Sequence, residues 1–171
     1  MIKARLLPAD AVRIEADERE RIALADRFGI IRIEQLKASV ELDICAKGVR
    51  AQGALSADIV QACAISGEPF AAHIEESIVL RFIEEGTARL TPSDEDDVDF
   101  EITAEDCDEI EYSGDAFDIG EAVAQTLGLA IDPYAEGPGA DAAREQAGIV
   151  KEGKEAPSGP LAAGLAALKK D

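Results

Sequence analysis

Tryptophan is absent from the chain, methionine occurs once, and the aromatic residues are two tyrosines and five phenylalanines. Large rings fill many cores and form the stacking platforms on which single-stranded RNA is read. Their scarcity means that the core must be built from Ala, Ile, Leu and Val, and that no row of stacking rings is available. Positive charge is equally short. There are 17 Lys and Arg against 36 Asp and Glu, giving a net charge of −19. Such a chain repels nucleic-acid phosphates and anionic membrane surfaces, and its natural complement is a basic protein. The three cysteines, Cys45, Cys63 and Cys107, are an odd number without paired spacing, which argues against a disulfide scaffold and for reduced thiols. No segment approaches the roughly 20 apolar residues of a membrane span. The first residues, MIKARLLPADAVRIEADERE, lack the apolar run of a signal peptide. A cytoplasmic, non-membrane location is expected.

What is present is alternation. At Leu36, Ala38, Val40, Leu42 and Ile44, and again at Val49, Ala51, Gly53, Leu55, Ala57 and Ile59, apolar residues fall at every second position. This period predicts two strands with one buried face, joined at Ala46-Lys47-Gly48. Past the turn-like Ser66-Gly67-Glu68-Pro69 the pattern resumes at Phe70, Ala72 and Ile74, lapses at Glu76, and returns at Ile78, Leu80 and Phe82. Val98, Phe100 and Ile102 suggest a fourth strand, and Ile110 with Tyr112 a fifth. Residues 2–14 are compatible with a short edge strand.

Two helices frame these strands. Asp17 and Glu20 have capping-box spacing, Glu18–Phe28 is rich in helix formers, and Gly29 stands where a left-handed cap would end it. Ile22, Leu24, Ala25 and Phe28 are its candidate apolar face. Asp118 and Glu121 repeat the spacing before a stripe of Ile119, Ala122, Val123, Thr126, Leu127 and Ala130, which Pro133 ends. The expectation is an α+β fold: a twisted antiparallel sheet of about five strands, able to curl toward a barrel, flanked by helices near 17–28 and 118–131. A single domain over 1–135, a Gly-, Ala- and Pro-rich flexible linker over 136–160, and a short amphipathic helix over 161–171 with Leu161, Leu165 and Leu168 on one face complete it.

Reaction chemistry is hard to assemble from these residues. His73 has no partner identifiable in sequence and reads as a structural or surface histidine. Cys63, just before a turn, resembles half of a zinc knuckle, but Ser66 occupies the place of the second thiol. A buried apolar-like thiol is the simpler reading. No phosphate loop, nucleotide-binding glycine pattern or nucleophile elbow occurs, and Asp94-Glu95-Asp96-Asp97 lacks the spacing of a calcium loop. Neither cofactor nor metal is expected. From Leu90 to Ala143 the chain has 17 Asp and Glu and no Lys, Arg or His. That stretch, and Asp94, Asp96, Asp97, Asp99 and Glu101 in particular, is either a solvated face or a docking surface for a basic partner. The tail Leu161, Leu165 and Leu168 either folds back on its own domain or docks elsewhere.

Several segments together resemble the bacterial large ribosomal RNA subunit accumulation family (YceD-like). They are ERERIALADRFGI (Glu18–Ile30), the strands through Val49–Ile59, VQACAISGEPF (Val60–Phe70), VDFEI (Val98–Ile102), FDIGEAVAQTLGLAIDPY (Phe117–Tyr134) and the terminal LAALKK. Many members carry C-x-x-C at the turn, where this chain has Cys63 and Ser66. Many have Asn-Pro-Phe before the tail, where it has Gly159-Pro160-Leu161. The resemblance implies a non-enzymatic accessory of ribosome biogenesis, acting in synthesis, processing or stability of large-subunit (23S) rRNA. It also implies a gene neighbour encoding a small basic ribosomal protein, and no catalytic residues. Combined with the charge, it makes a basic ribosomal protein or assembly factor the expected partner. Direct rRNA binding through Lys37, Lys47, Arg50 and Arg81 is the alternative, and a carboxylate-metal nuclease a more distant one.

Overall fold

The computed structural model describes residues 1–46, 48–86 and 108–149. In chain order the elements are β1 (Ile2–Lys3), β2 (Val12–Glu15), α1 (Glu18–Phe28), β3 (Arg32–Cys45), β4 (Gly48–Ala62), β5 (Pro69–Glu84), β6 (Asp108–Tyr112), β7 (Ala116–Phe117), α2 (Ile119–Ala130) and α3 (Ala140–Ala147). The chain divides into two compact units, Met1–Gln61 with Ala71–Asp132, and Ala62–Phe70 with Pro133–Asp171.

The first unit is an α+β structure around an open sheet in the order β2-β3-β4-β5-β6, with β1 and β7 forming a separate pair. The alternation sorts the faces as read from sequence. Leu36, Ala38, Val40, Ala51, Leu55, Ala57, Ile59, Ile78, Leu80 and Phe82 are buried on one face. Their partners across the β3–β4 ladder keep this order, with Ala38 opposite Leu55 and Val40 opposite Gly53. A side chain at Gly53 would meet the Ser39 carbonyl and stand 2.9 Å from Val40 Cα, so the two strands approach too closely there for a Cβ. β3 begins at Arg32, four residues before the alternation, because a register shift between Ile33 and Gln35 breaks the period.

One part of the expected sheet is corrected. β6 runs parallel to β5, from Leu80 opposite Asp108 to Glu84 opposite Tyr112, so the sheet is mixed rather than wholly antiparallel. Parallel neighbours need a crossover of a dozen or more residues, and the sequence supplies that length between Gly86 and Asp108. The strand expected at Val98–Ile102 lies outside the described residues.

Both helices cover the buried face. The Asp17–Glu20 capping box forms in both directions, at 2.8 and 2.9 Å, and Gly29 ends α1 at φ 66°. Ile22, expected inside, is exposed, and the helix buries Ala25 with Leu24 and Phe28 half-buried. Asp118 caps α2 through the Gly120 and Glu121 amides. The Glu121 carboxylate, despite its capping-box spacing, accepts from both terminal guanidinium nitrogens of Arg27 at 2.8 and 2.9 Å, linking α2 to α1. Phe28 lies against Gly128, whose absent side chain makes room for the ring. Three of the few aromatics meet at the base of the core. Phe82 stacks on Phe117 at 4.1 Å between centroids, and Tyr112 tilts against Phe117 at 5.7 Å.

The second unit is built on the turn that follows β4. Cys63 N–H donates to the Glu68 carbonyl (2.8 Å), Gly67 N–H to the Cys63 carbonyl (2.9 Å), and Ala64 N–H to the Ala135 carbonyl (3.0 Å). Gly137 lies against the Phe70 ring. Where composition predicted a linker, residues 140–147 form α3, closed by Gly148 at φ 66°. Ala140 and Arg144 are buried, and the Arg144 guanidinium pairs with Glu136 and, at 3.0 Å, with Asp141. The flanking Gly and Pro obscured a run, ADAAREQA, made mostly of good helix formers.

Candidate interaction surface

The sheet face opposite α1 and α2 is polar and, among the described residues, open. Strand geometry puts Arg13 and Glu15 of β2, Lys37 and Ser39 of β3, Ala54 and Ser56 of β4, and Glu75 and Ser77 of β5 on this side. Together they border a trough of about 800 Å³. Its floor is made of small side chains, Ser39, Ala54, Ser56 and Ser77. Its rims carry charge of both signs, with Arg13, Glu15 and Lys37 on one and Glu75 on the other.

Of the four cations of the alternative RNA patch, Lys37 and Arg81 are paired with carboxylates. Lys37 Nζ lies 3.5 Å from Glu15, and Arg81 lies 2.9 Å from Glu109 on β6. Arg50 stands opposite Asp43 in the ladder, and Lys47 lies outside the described residues. Beyond the trough, Asp58 of β4 and Glu75 clasp His73, with Nδ1 at 2.7 Å from Asp58 and Nε2 at 3.4 Å from Glu75. The hydrogen bond to Asp58, then that to Glu75, raises the imidazole pKa above its ordinary value. A ring held at both nitrogens by carboxylates favours the imidazolium and is a poor proton acceptor.

The Cys63 turn has the shape of half a metal knuckle. Ser66 N–H points at Cys63 Sγ from 3.4 Å. Hydrogen bonding from Ser66, its hydroxyl first and its amide second, lowers the thiol to about 7. Ser66 thus supplies donors to the sulfur where a second thiol would have shared a metal. Among the described residues no three His, Cys, Asp or Glu side chains are grouped to hold a metal. Asp94, Asp96, Asp97, Asp99, Glu101, Leu161, Leu165 and Leu168 all lie outside the described residues. No helix among the described residues is long and apolar enough to cross a membrane.

The first unit is thus an α+β structure in which α1 and α2 cover one sheet face and, among the described residues, the other face is polar. Residues 51–169 match the family described as Large ribosomal RNA subunit accumulation protein YceD, and the chain belongs to that family. The matched region takes in most of β4, then β5, β6, α2 and the Cys63 turn, and leaves α1 and β3 outside it. No curated protein and no solved structure matches the chain.

Proposed function

We propose that the protein is a non-enzymatic accessory of ribosome biogenesis, which supports large-subunit rRNA by binding a basic ribosomal protein or assembly factor. The family supplies the process. The observation that carries the mechanism is charge: −19 overall, with Lys37 and Arg81 on the open face already paired to Glu15 and Glu109. RNA binding draws its free energy from Lys and Arg that displace counterions from phosphates. Cations bound to neighbouring carboxylates contribute little to that exchange. A basic protein gains from the same surface, because acidic residues steer it and raise its rate of encounter.

The test is affinity purification of the full chain from cells at low salt, identifying both protein and RNA, with nuclease treatment in parallel. Recovery of a basic ribosomal protein or assembly factor that survives nuclease supports the reading. Recovery of large-subunit rRNA that binds the purified protein directly, with no protein intermediary, overturns it.

A further inference from the structure

β5 is much longer than the strand beside it. It runs from Pro69 to Glu84, whereas β6 pairs only with Leu80–Glu84. Along Ala71–Val79, therefore, the edge that faces away from β4 has no ladder partner among the described residues. The direction of its free groups follows from parity. Glu85 N–H donates to the Tyr112 carbonyl at 2.9 Å, on the β6 side. Backbone groups of alternate residues point to the same side of a strand, so Ala71, His73, Glu75, Ser77 and Val79 present N–H and C=O outward. Ser77 shows the consequence: its N–H is met by the Glu76 carboxylate at 3.3 Å rather than by a strand carbonyl.

Exposed edges are usually blunted with charged side chains, Lys above all, with Pro or with a bulge. AAHIEESIV (71–79) contains no lysine, proline or glycine. Its charges are Glu75 and Glu76 with the clasped His73, and Asp108 and Glu109 stand where an added strand would reach β6. Val79 is exposed on the open face. The trough bordered by Ser39, Ala54, Ser56 and Ser77 adjoins this edge and has room for side chains from a strand laid against it. We infer that the Ala71–Val79 edge of β5 binds an extended segment of a basic protein by strand addition. Main-chain hydrogen bonds from the alternate residues hold it, Lys or Arg side chains face Glu75 and Glu76, and an apolar side chain covers Val79. A second copy of this chain is a poor occupant, because edge-to-edge pairing would bring the Glu75–Glu76 carboxylates of two strongly acidic chains together. The inference rests on the basic partner of the proposed function and gives that partner a site.

The probe is a peptide of about ten lysine and valine residues, with lysines placed to lie opposite Glu75 and Glu76 and a valine opposite Val79, matched to the length of an added strand. Its control has identical composition with every second backbone amide N-methylated. Binding to the full chain is followed by fluorescence anisotropy, and amide exchange is measured with and without peptide. The expected result is protection of the Ala71, His73, Glu75, Ser77 and Val79 amides by the parent peptide, with about tenfold weaker binding of the methylated one. A Ser77→Pro variant, which removes one outward N–H, should weaken the parent peptide similarly. Equal binding of the two peptides overturns the inference, and needs no variant to fold. So does protection of these amides in the free protein, which would mean that the chain's own residues cover the edge. Dimerisation abolished by Ser77→Pro would also overturn it, by assigning the edge to a second copy. If cells still yield a nuclease-resistant basic partner while the peptide fails, the edge is wrong and the proposed function stands. If the peptide binds as expected but cells yield only directly bound rRNA, the proposed function falls and the strand-addition edge stands.

Discussion

Two side chains carry pH dependence of opposite sign. Donors from Ser66, its hydroxyl before its amide, lower Cys63 from 9.0 to about 7. Folding therefore favours the thiolate, and this contribution is complete above about pH 9 and is lost as pH falls through about 7. His73 is the reverse case. Asp58 and then Glu75 raise its pKa above the ordinary 6.5, so its stabilisation is complete below that value and is lost as pH rises through the folded pKa. In a background with Cys45 and Cys107 replaced by alanine, thiolate absorbance should titrate near 7, and Ser66→Ala should move the midpoint upward. A midpoint unchanged by Ser66→Ala would show that Ser66 does not tune the thiol. For the histidine, NMR titration of the ring should show a lower pKa in Asp58→Asn than in the parent chain. Neither partner was legible from sequence. Ser66 is only three residues from Cys63, but whether it faces the sulfur depends on the turn, and Asp58 reaches His73 only through strand pairing.

Elements were legible to the extent that their signals are local. The Asp17–Glu20 box and Gly29 fix α1 because capping is decided within one turn. The same spacing at Asp118 and Glu121 marks the start of α2, yet Glu121 binds Arg27 across 94 residues instead of closing a box, a choice made by tertiary packing. The parallel direction of β6 and the short α3 were missed for different reasons. A long connection permits either strand direction, and a helix of Ala, Arg, Glu and Gln needs little apolar bulk when it buries only Ala140 and Arg144. The trough was invisible because four strands must be in register before Ser39, Ala54, Ser56 and Ser77 become neighbours. Element contacts suggest two stability tests. Gly53→Ala places a Cβ against Ser39 and Val40 on β3 and should cost about 1–3 kcal/mol, the usual range for overpacking. Phe117→Ala removes the ring stacked on Phe82 and should cost about 3–5 kcal/mol by leaving a cavity. Denaturant midpoints measure both, and a neutral Gly53→Ala would mean that β3 and β4 separate freely at that point.

At the scale of the whole molecule, charge is the property with the longest reach. Residues 90–143 contribute 17 carboxylates and no basic side chain; Glu109, Glu121, Glu136 and Asp141 are paired with arginines from outside that stretch. At physiological salt the Debye length is about 8 Å, which lets such a run of acidic sequence act on a basic protein before contact and makes its influence sensitive to added salt. In the proposed mechanism this run captures the partner and shields it from misplaced contacts before it meets RNA, while short-range contacts hold it. Replacing Asp94, Asp96, Asp97 and Asp99 with Asn and Glu101 with Gln removes five negative charges in one stretch of sequence. The expected outcome is slower association and a shallower dependence of the rate on salt, with a smaller change in dissociation, because electrostatic steering acts mainly on encounter. The measurement is the association rate with the basic partner over a salt series, for the parent chain and the neutralised variant. Circular dichroism of both is the check that the fold is retained. Identical salt slopes would mean that these carboxylates are only solvated and that capture depends on other parts of the surface.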